Sequence, residues 1–357
     1  MKFCRTRAVS TIWVVLFFAF ASIARAQQDS VRISPVTIHG FILGLYRAGD
    51  PLIVDGYRLR KADLRLSGEA SPHLRWRISF DAAKALTINR TVSAINDSLV
   101  LSDASIDQRS AILQDAALTY ALNRALSFDI GQQIIPQGLE GTYPTAQIET
   151  IERTLFVAER SRGVGLGDVR DIGISANGSV LDGQVEYHAG VFNEMGESAG
   201  TTDANQQKAV IGRVAIHPRV FPQFQIGGTA GHEGGPENIR HDRLGGEAQY
   251  RDRFMTLRAE VMSAHDGLLH RLGWYGLGAF RPTSRLQLVG RYDWWDRDTD
   301  AERTLPNALE TQVVLGASYL LEGNVAKIAL NVVHQEFPHA GNVRPGTFLL
   351  AGFSGVW

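Results

Sequence analysis

The chain has 357 residues, with 36 Lys and Arg against 37 Asp and Glu, a single Cys and 44% hydrophobic residues. The formal charge of −1 offers no basic footprint for nucleic acid, and a lone cysteine excludes a disulfide framework. Beyond residue 26 no apolar run approaches the ~20 residues that a spanning helix needs, so a membrane location requires a closed barrel, the other structure that satisfies every backbone group in lipid.

Residues 1–26 read as a secretory signal: Lys2, Arg5 and Arg7 form the charged start, residues 12–21 the apolar core, and Ala24-Arg25-Ala26 the small-residue cleavage site. Its removal takes Cys4 and leaves a thiol-free, mildly acidic mature chain, expected to be one barrel domain over residues 27–357.

Sixteen strands are then predicted in chain order. The first eight cover 37–46, 57–69, 74–83, 112–122, 126–133, 169–177, 185–192 and 209–217; the second eight cover 224–230, 243–250, 254–264, 271–280, 286–295, 312–321, 325–333 and 347–357. Short turns such as Asn123-Arg124, Leu181-Asp182-Gly183 and Glu322-Gly323-Asn324 alternate with longer loops, and their Gly, Asn and Asp suit reversal. Short periplasmic turns opposite long extracellular loops are the signature of a bacterial outer-membrane barrel.

The alternation has a consistent sense. Leu74, Trp76, Ile78 and Phe80 share one face of their strand, while Arg75, Arg77, Ser79 and Asp81 share the other. Leu286, Leu288, Tyr292 and Trp294 stand likewise against Arg285, Gln287, Arg291 and Asp293. The last strand ends with Leu349, Ala351, Phe353 and the terminal Trp357 on one face. No helical layer remains to cover sixteen apolar faces, so lipid is the cover expected. The fold class is therefore all-β, a 16-stranded antiparallel transmembrane β-barrel.

Residues 84–111 and 134–168 are the longest stretches without strand pattern. The second has helical character over 147–159, with Ile148, Ile151 and Leu155 near helical spacing. Its apolar content predicts a third loop folded inward to narrow the lumen, in keeping with the functional bias of long loops.

A set of short segments carries a resemblance: Tyr57-Arg58-Leu59-Arg60-Lys61-Ala62 with Leu64-Arg65-Leu66-Ser67-Gly68, then Gly131-Gln132, Pro136, Gly138-Leu139-Glu140 and Glu152-Arg153. Arg162 ahead of Arg170-Asp171-Ile172-Gly173, and Gly190-Val191-Phe192-Asn193, complete it. Together these resemble the phosphate-selective porin O and P family from about residue 37 to 220. The resemblance implies a sixteen-stranded porin, usually a homotrimer, with the third loop in the channel and anions as substrates. Its basic second-strand pair falls on Arg60 and Lys61, neighbours that a regular strand sends to opposite faces.

Rings of Arg and Lys, or of Asp and Glu, set the selectivity of a pore. The pore-lining and anion-binding candidates are Arg60, Lys61, Arg65, Arg75, Arg77, Arg153, Arg162, Arg213, Arg258 and Arg291. Carboxylates on the same inferred face, among them Asp63, Asp81, Asp115, Asp129, Glu247, Glu260 and Asp293, nearly equal the cations in number, so selectivity rests on which charges cluster at the constriction. His232-Glu233 lacks the second histidine of a zinc-protease helix, and Gly163-Val164-Gly165-Leu166-Gly167 lacks the strand–helix setting of a nucleotide loop. No catalytic residue, metal or cofactor is expected. The sequence thus predicts a porin in the outer membrane of a Gram-negative bacterium, in contact with its lipid. Small hydrophilic or anionic solutes would pass through it by diffusion. The alternative is a plugged barrel acting as an outer-membrane enzyme or as a structural or adhesive protein.

Overall fold

A computed structural model describes residues 35–49, 55–84, 87–95, 98–107, 112–158, 166–195, 207–235, 240–300, 309–322, 325–338 and 345–357. The expected signal segment and Arg162 lie outside these residues. Among those described there are eighteen strands. In chain order they begin with β1 (Thr37–Ala48), β2 (Gly56–Glu69), β3 (Leu74–Asp81), β4 (Thr87–Ile95), β5 (Ser98–Asp107) and β6 (Leu113–Asn123). Then come β7 (Leu126–Ile134), β8 (Arg170–Val180), β9 (Val185–Phe192), β10 (Ala209–Ile216), β11 (Phe224–Glu233) and β12 (His241–Arg251). The last are β13 (Met255–Asp266), β14 (Leu269–Phe280), β15 (Leu286–Asp296), β16 (Leu309–Leu320), β17 (Ala326–Glu336) and β18 (Gly346–Val356).

All but β4 and β5 form one closed antiparallel barrel, in which each strand pairs with its chain neighbours and β1 pairs with β18. The sixteen predicted strands are these sixteen. The region 84–111, expected to lack strands, instead contains the β4–β5 hairpin as a separate two-stranded sheet. Its pairing shifts register between Thr91 and Val92, which breaks the period-2 pattern that sequence reading relies on. The connection between β13 and β14, expected to be a longer loop, is the two-residue turn Gly267-Leu268, with Gly267 at φ 60°.

The terminal aromatic closes the seam. Gly40 N donates to Trp357 O at 2.9 Å, and Trp357 N donates to Gly40 O at 3.1 Å. The Trp357 indole lies over Gly40, where a Cβ would come within 2.0 Å of the ring. Phe353 covers Gly44 in the same way, so two glycines on β1 are sockets for two aromatics at the chain end.

Period-2 alternation sends Leu244, Leu315, Ile328 and Phe353 outward, all more than half exposed. Arg258, Glu260, Arg291 and Asp293 point inward and are buried. This is a water-soluble protein turned inside out. Covering one such aliphatic side chain with lipid is worth about 1.5–3 kcal/mol, which fixes the register because a one-residue slip would exchange the faces.

Candidate functional site

Between β7 and β8, the described residues 135–158 and 166–169 run inside the barrel. Ile135 N donates to Val169 O at 3.0 Å and closes the neck of this loop. Beyond the neck, Gly138 adopts φ 73°, and a Cβ there would meet Glu260 Oε1 at 2.0 Å. Glycine is required on both counts. The turn that follows, Leu139–Thr142, presents free N–H groups at its start, and the Glu260 carboxylate accepts from Leu139 N and Glu140 N at 3.0 Å each.

From that seat the loop crosses the lumen. Glu149 accepts from Arg251 at 2.7 Å and pairs with Arg258 at 3.2 Å, and both guanidiniums lie over the Tyr143 ring. Lys327 Nζ donates to Ile148 O at 2.8 Å, and Ile151 N donates to Asn331 Oδ1 at 2.8 Å. Arg291 donates to Thr150 Oγ1, Glu152 O and Arg153 O, and pairs with Asp293 at 2.9 Å. On the far side Arg60 pairs with Glu152 at 3.0 Å, and Lys61 Nζ donates to Thr145 Oγ1 at 3.1 Å. With Gly138 N donating to Thr229 Oγ1 on β11 at 3.2 Å, contacts with β2, β11, β12, β13, β15 and β17 require a position within the lumen.

Two apolar clusters hold the same segment. Phe156 is seated on Gly273, with its ring 6.1 Å from Tyr275 and 6.3 Å from Trp295. Ile151 packs against Gly352 within a cluster that includes Val314, Val333, Phe348 and Leu350. The expected helix over 147–159 is absent; the described part holds only the single turns Thr145–Gln147 and Leu155–Ala158. Ile151 and Leu155 serve different clusters on different strands, which an extended crossing can reach and one helical face cannot.

β2 departs from regular pairing where the charges concentrate. Leu43 pairs with Lys61 while Gly44 pairs with Leu59, so Arg60 is the extra residue of a bulge. An extra residue cancels the alternation locally, and Arg60 and Lys61 both reach the loop inside the barrel. The expectation that these neighbours face opposite ways is corrected by that bulge.

The remaining candidates divide into two groups. Arg153 donates to Glu140 O, Tyr143 O and Thr145 Oγ1 and stands 3.8 Å from Asp168, so it staples the loop to itself. Arg258 and Arg291 are buried beneath the loop and hold it. On the open wall, the Arg65 side chain is 55% exposed, with Asp115 4.0 Å away. Arg75 is exposed, Arg77 pairs with Asp129 at 3.4 Å, and Arg213 forms a two-point pair with Glu247. Arg58, which sequence reading passed over, is exposed opposite Leu45 and extends the line of cations along β2.

Asp168 closes the loop at φ 55°. Burial alone would raise its carboxyl, but Arg153, Arg170, Lys61 and Lys84 surround it and hold it well below the usual carboxylate range. Sequence reading also placed Glu260 in the lumen without finding its role as the seat of Leu139 and Glu140. No spacing rule encodes a contact across 120 residues. Among the described residues, no three His, Cys, Asp or Glu converge to hold a metal.

A family model described as phosphate-selective porin O and P matches residues 48–267. Among solved structures, the chain is similar to the outer membrane channel DcaP of Acinetobacter baumannii, with TM-score 0.61 and 13% identity over 92% of this chain and 99% of that one. It is similar to an anion-selective porin from Comamonas acidovorans, with TM-score 0.56 and 13% identity over 91% and 100%. It is also similar to Salmonella typhi OmpF in complex with daunomycin, with TM-score 0.59 and 11% identity over 91% and 98%. No curated protein matches.

Proposed function

The chain belongs to the phosphate-selective porin O and P family, and on that premise we propose that it favours small anions through a lumen narrowed by residues 135–158. It is an outer-membrane porin, a passive channel for small hydrophilic solutes. The permeation path runs between the inner loop and the wall formed by β2, β3 and β6 to β10. One observation carries the anion preference: the bulge at Arg60 turns Arg60 and Lys61 inward, in line with Arg58, Arg65, Arg75 and Arg77 on β2 and β3. Lining a pore with Arg and Lys favours anions. Pairing of Arg60, Lys61, Arg77 and Arg213 with carboxylates keeps the preference moderate.

Arg153, Arg258 and Arg291 act in this reading as struts of the constriction rather than as solute ligands. Export by residues 1–26, a periplasmic location for the short turns, assembly as a homotrimer and the lack of catalytic activity complete the reading. A trimer form is described for OmpT of Vibrio cholerae, a similar barrel with TM-score 0.56 and 8% identity. Planar-bilayer recording of the purified protein is the test. A reversal potential displaced toward the chloride equilibrium potential in a KCl gradient is expected. A cation-directed reversal would end the anion proposal, and a sealed barrel would favour the plugged alternative.

A further inference from the structure

The outer wall of β11 to β15 carries two features that the channel does not use. At the loop end, His232, Asp242, His265 and His270 form a single register row across four adjacent strands. His232 Nδ1 lies 2.6 Å from Asp242 Oδ1, and Arg240 Nε pairs with Asp242 Oδ2 at 2.9 Å. Arg240 Nη2 donates to His265 Nδ1 at 2.8 Å, and the His265 and His270 rings stack at 4.0 Å. An Nδ1 that accepts leaves the proton on Nε2. His265 therefore offers an Nε2–H donor, beside the further N–H groups of Arg240. The row alternates with inward residues, so it faces away from the lumen, and His232, Asp242, Arg240 and His270 are all substantially exposed.

The second feature lies below, on the same strands. Gly228 pairs with Gly246 in one row, Ala248 with Ala259 and Ala259 with Gly276 in the next, and Gly278 with Gly290 in the third. These positions run diagonally between larger side chains, with Val261 and Trp274 above and Tyr250 and Leu257 below. Glycine inside a strand weakens it, and one reason to keep it there is the close approach of a ligand. The protein's own packing supplies that reason at Gly40 and Gly44, under Trp357 and Phe353. At Gly276 it supplies none: a Cβ there would meet nothing within 4 Å, and at Gly246, Gly278 and Gly290 only ordinary contacts of 3.6–3.8 Å. The result is an open furrow in the apolar wall. It begins two register rows, about 14 Å, below the His row, at ~3.4 Å per residue.

We propose that this sector docks one lipid of the outer leaflet that carries a phosphate headgroup. Its acyl chain lies in the furrow and its phosphate accepts hydrogen bonds from Arg240, His265 and His270. A guanidinium and two imidazole N–H donors at the polar boundary, with an apolar furrow about 14 Å below them, match such a lipid at both ends. A second copy of the chain would need only the flat small-residue face and would leave the donor row unused.

The test is native mass spectrometry of the detergent-extracted protein, titrated with bisphosphorylated lipid A and with its dephosphorylated form. One retained phosphorylated lipid per chain is expected, with weaker retention of the dephosphorylated form. The double variant Arg240→Ala/His265→Ala should retain about tenfold less, in line with the loss of one charge-assisted and one neutral hydrogen bond. Gly276→Phe should fill the furrow and displace the chain, with conductance and oligomeric state unchanged. Equal retention by all proteins, or of both lipids, overturns the proposal. So does a Gly276→Phe variant that splits the oligomer while holding the lipid, because the furrow would then be a contact between copies.

Discussion

Replacing Arg65 with glutamate should move the channel from anion toward cation preference by a calculable amount. The side chain is 55% exposed, and its nearest partner is the Asp115 carboxylate at 4.0 Å, so little protein screens it. At ~6 Å from a passing ion, one charge in water contributes about 0.7 kcal/mol. With a Debye length of ~10 Å at 0.1 M salt this falls to about 0.4 kcal/mol. Reversing the charge changes the field by two charges, or ~0.8 kcal/mol, which is about fourfold in the local occupancy of a monovalent ion. Anions fall and cations rise, so the local ratio shifts by roughly fifteenfold, diluted by the rest of the pore in series. The measurement is the reversal potential in a tenfold KCl gradient across a planar bilayer, with Arg65→Gln expected to give about half the shift. Open channels of ordinary conductance with an unchanged reversal potential would show that ions do not pass along β2 and β3, and the proposed path would fall.

Phe156→Ala should free the inner loop, because a buried Phe-to-Ala change costs about 3–5 kcal/mol. Larger, noisier conductance and new proteolytic cleavage within 135–169 would report it; quiet wild-type channels would argue against this anchor. Arg258→Met leaves Glu140 and Glu149 buried without their shared cation, at a cost of about 3–5 kcal/mol; adding Glu149→Gln should recover part of that loss in a denaturant titration. Gly40→Leu should clash with the Trp357 indole and hinder closure, seen as loss of the folded band in heat-modifiability gels. The depressed Asp168 carboxyl stabilises the loop at pH values above the ordinary aspartate pKa of about 3.9, and this support drains away as pH falls through the lower folded value. Loop proteolysis or channel noise should therefore rise in strong acid, and Asp168→Asn should show the rise already at neutral pH.

The barrel was legible in the sequence because it rests on local rules. Period-2 alternation sets each face and turn chemistry separates the strands; each acts within a few residues. Hence Leu74–Phe80 and Leu286–Trp294 face as read, and the strand count of sixteen is that of the barrel. The apolar content of 134–168 was legible as a reason to fold inward, and its described residues Ile148 and Ile151 meet the inner wall at Lys327 and Asn331.

What tertiary structure decided is which groups meet. The bulge at Arg60 arises from the pairing of β1 with β2, and no local pattern announces it. Ile151 and Leu155, spaced as for one helix, part to separate clusters because apolar patches on different strands, β13 to β15 for Leu155 and β16 to β18 with β1 for Ile151, take them. Arg153, Arg258 and Arg291, alike in sequence to any inward-facing arginine, become struts because Glu140, Glu149 and the loop carbonyls arrive beside them. Sequence by itself determined the fold and its membrane, since hydrophobic periodicity is a property of single strands. The charge left open to a solute was decided only once closure of the barrel brought distant carboxylates against most of the cations, because the field in a pore depends on pairing in space.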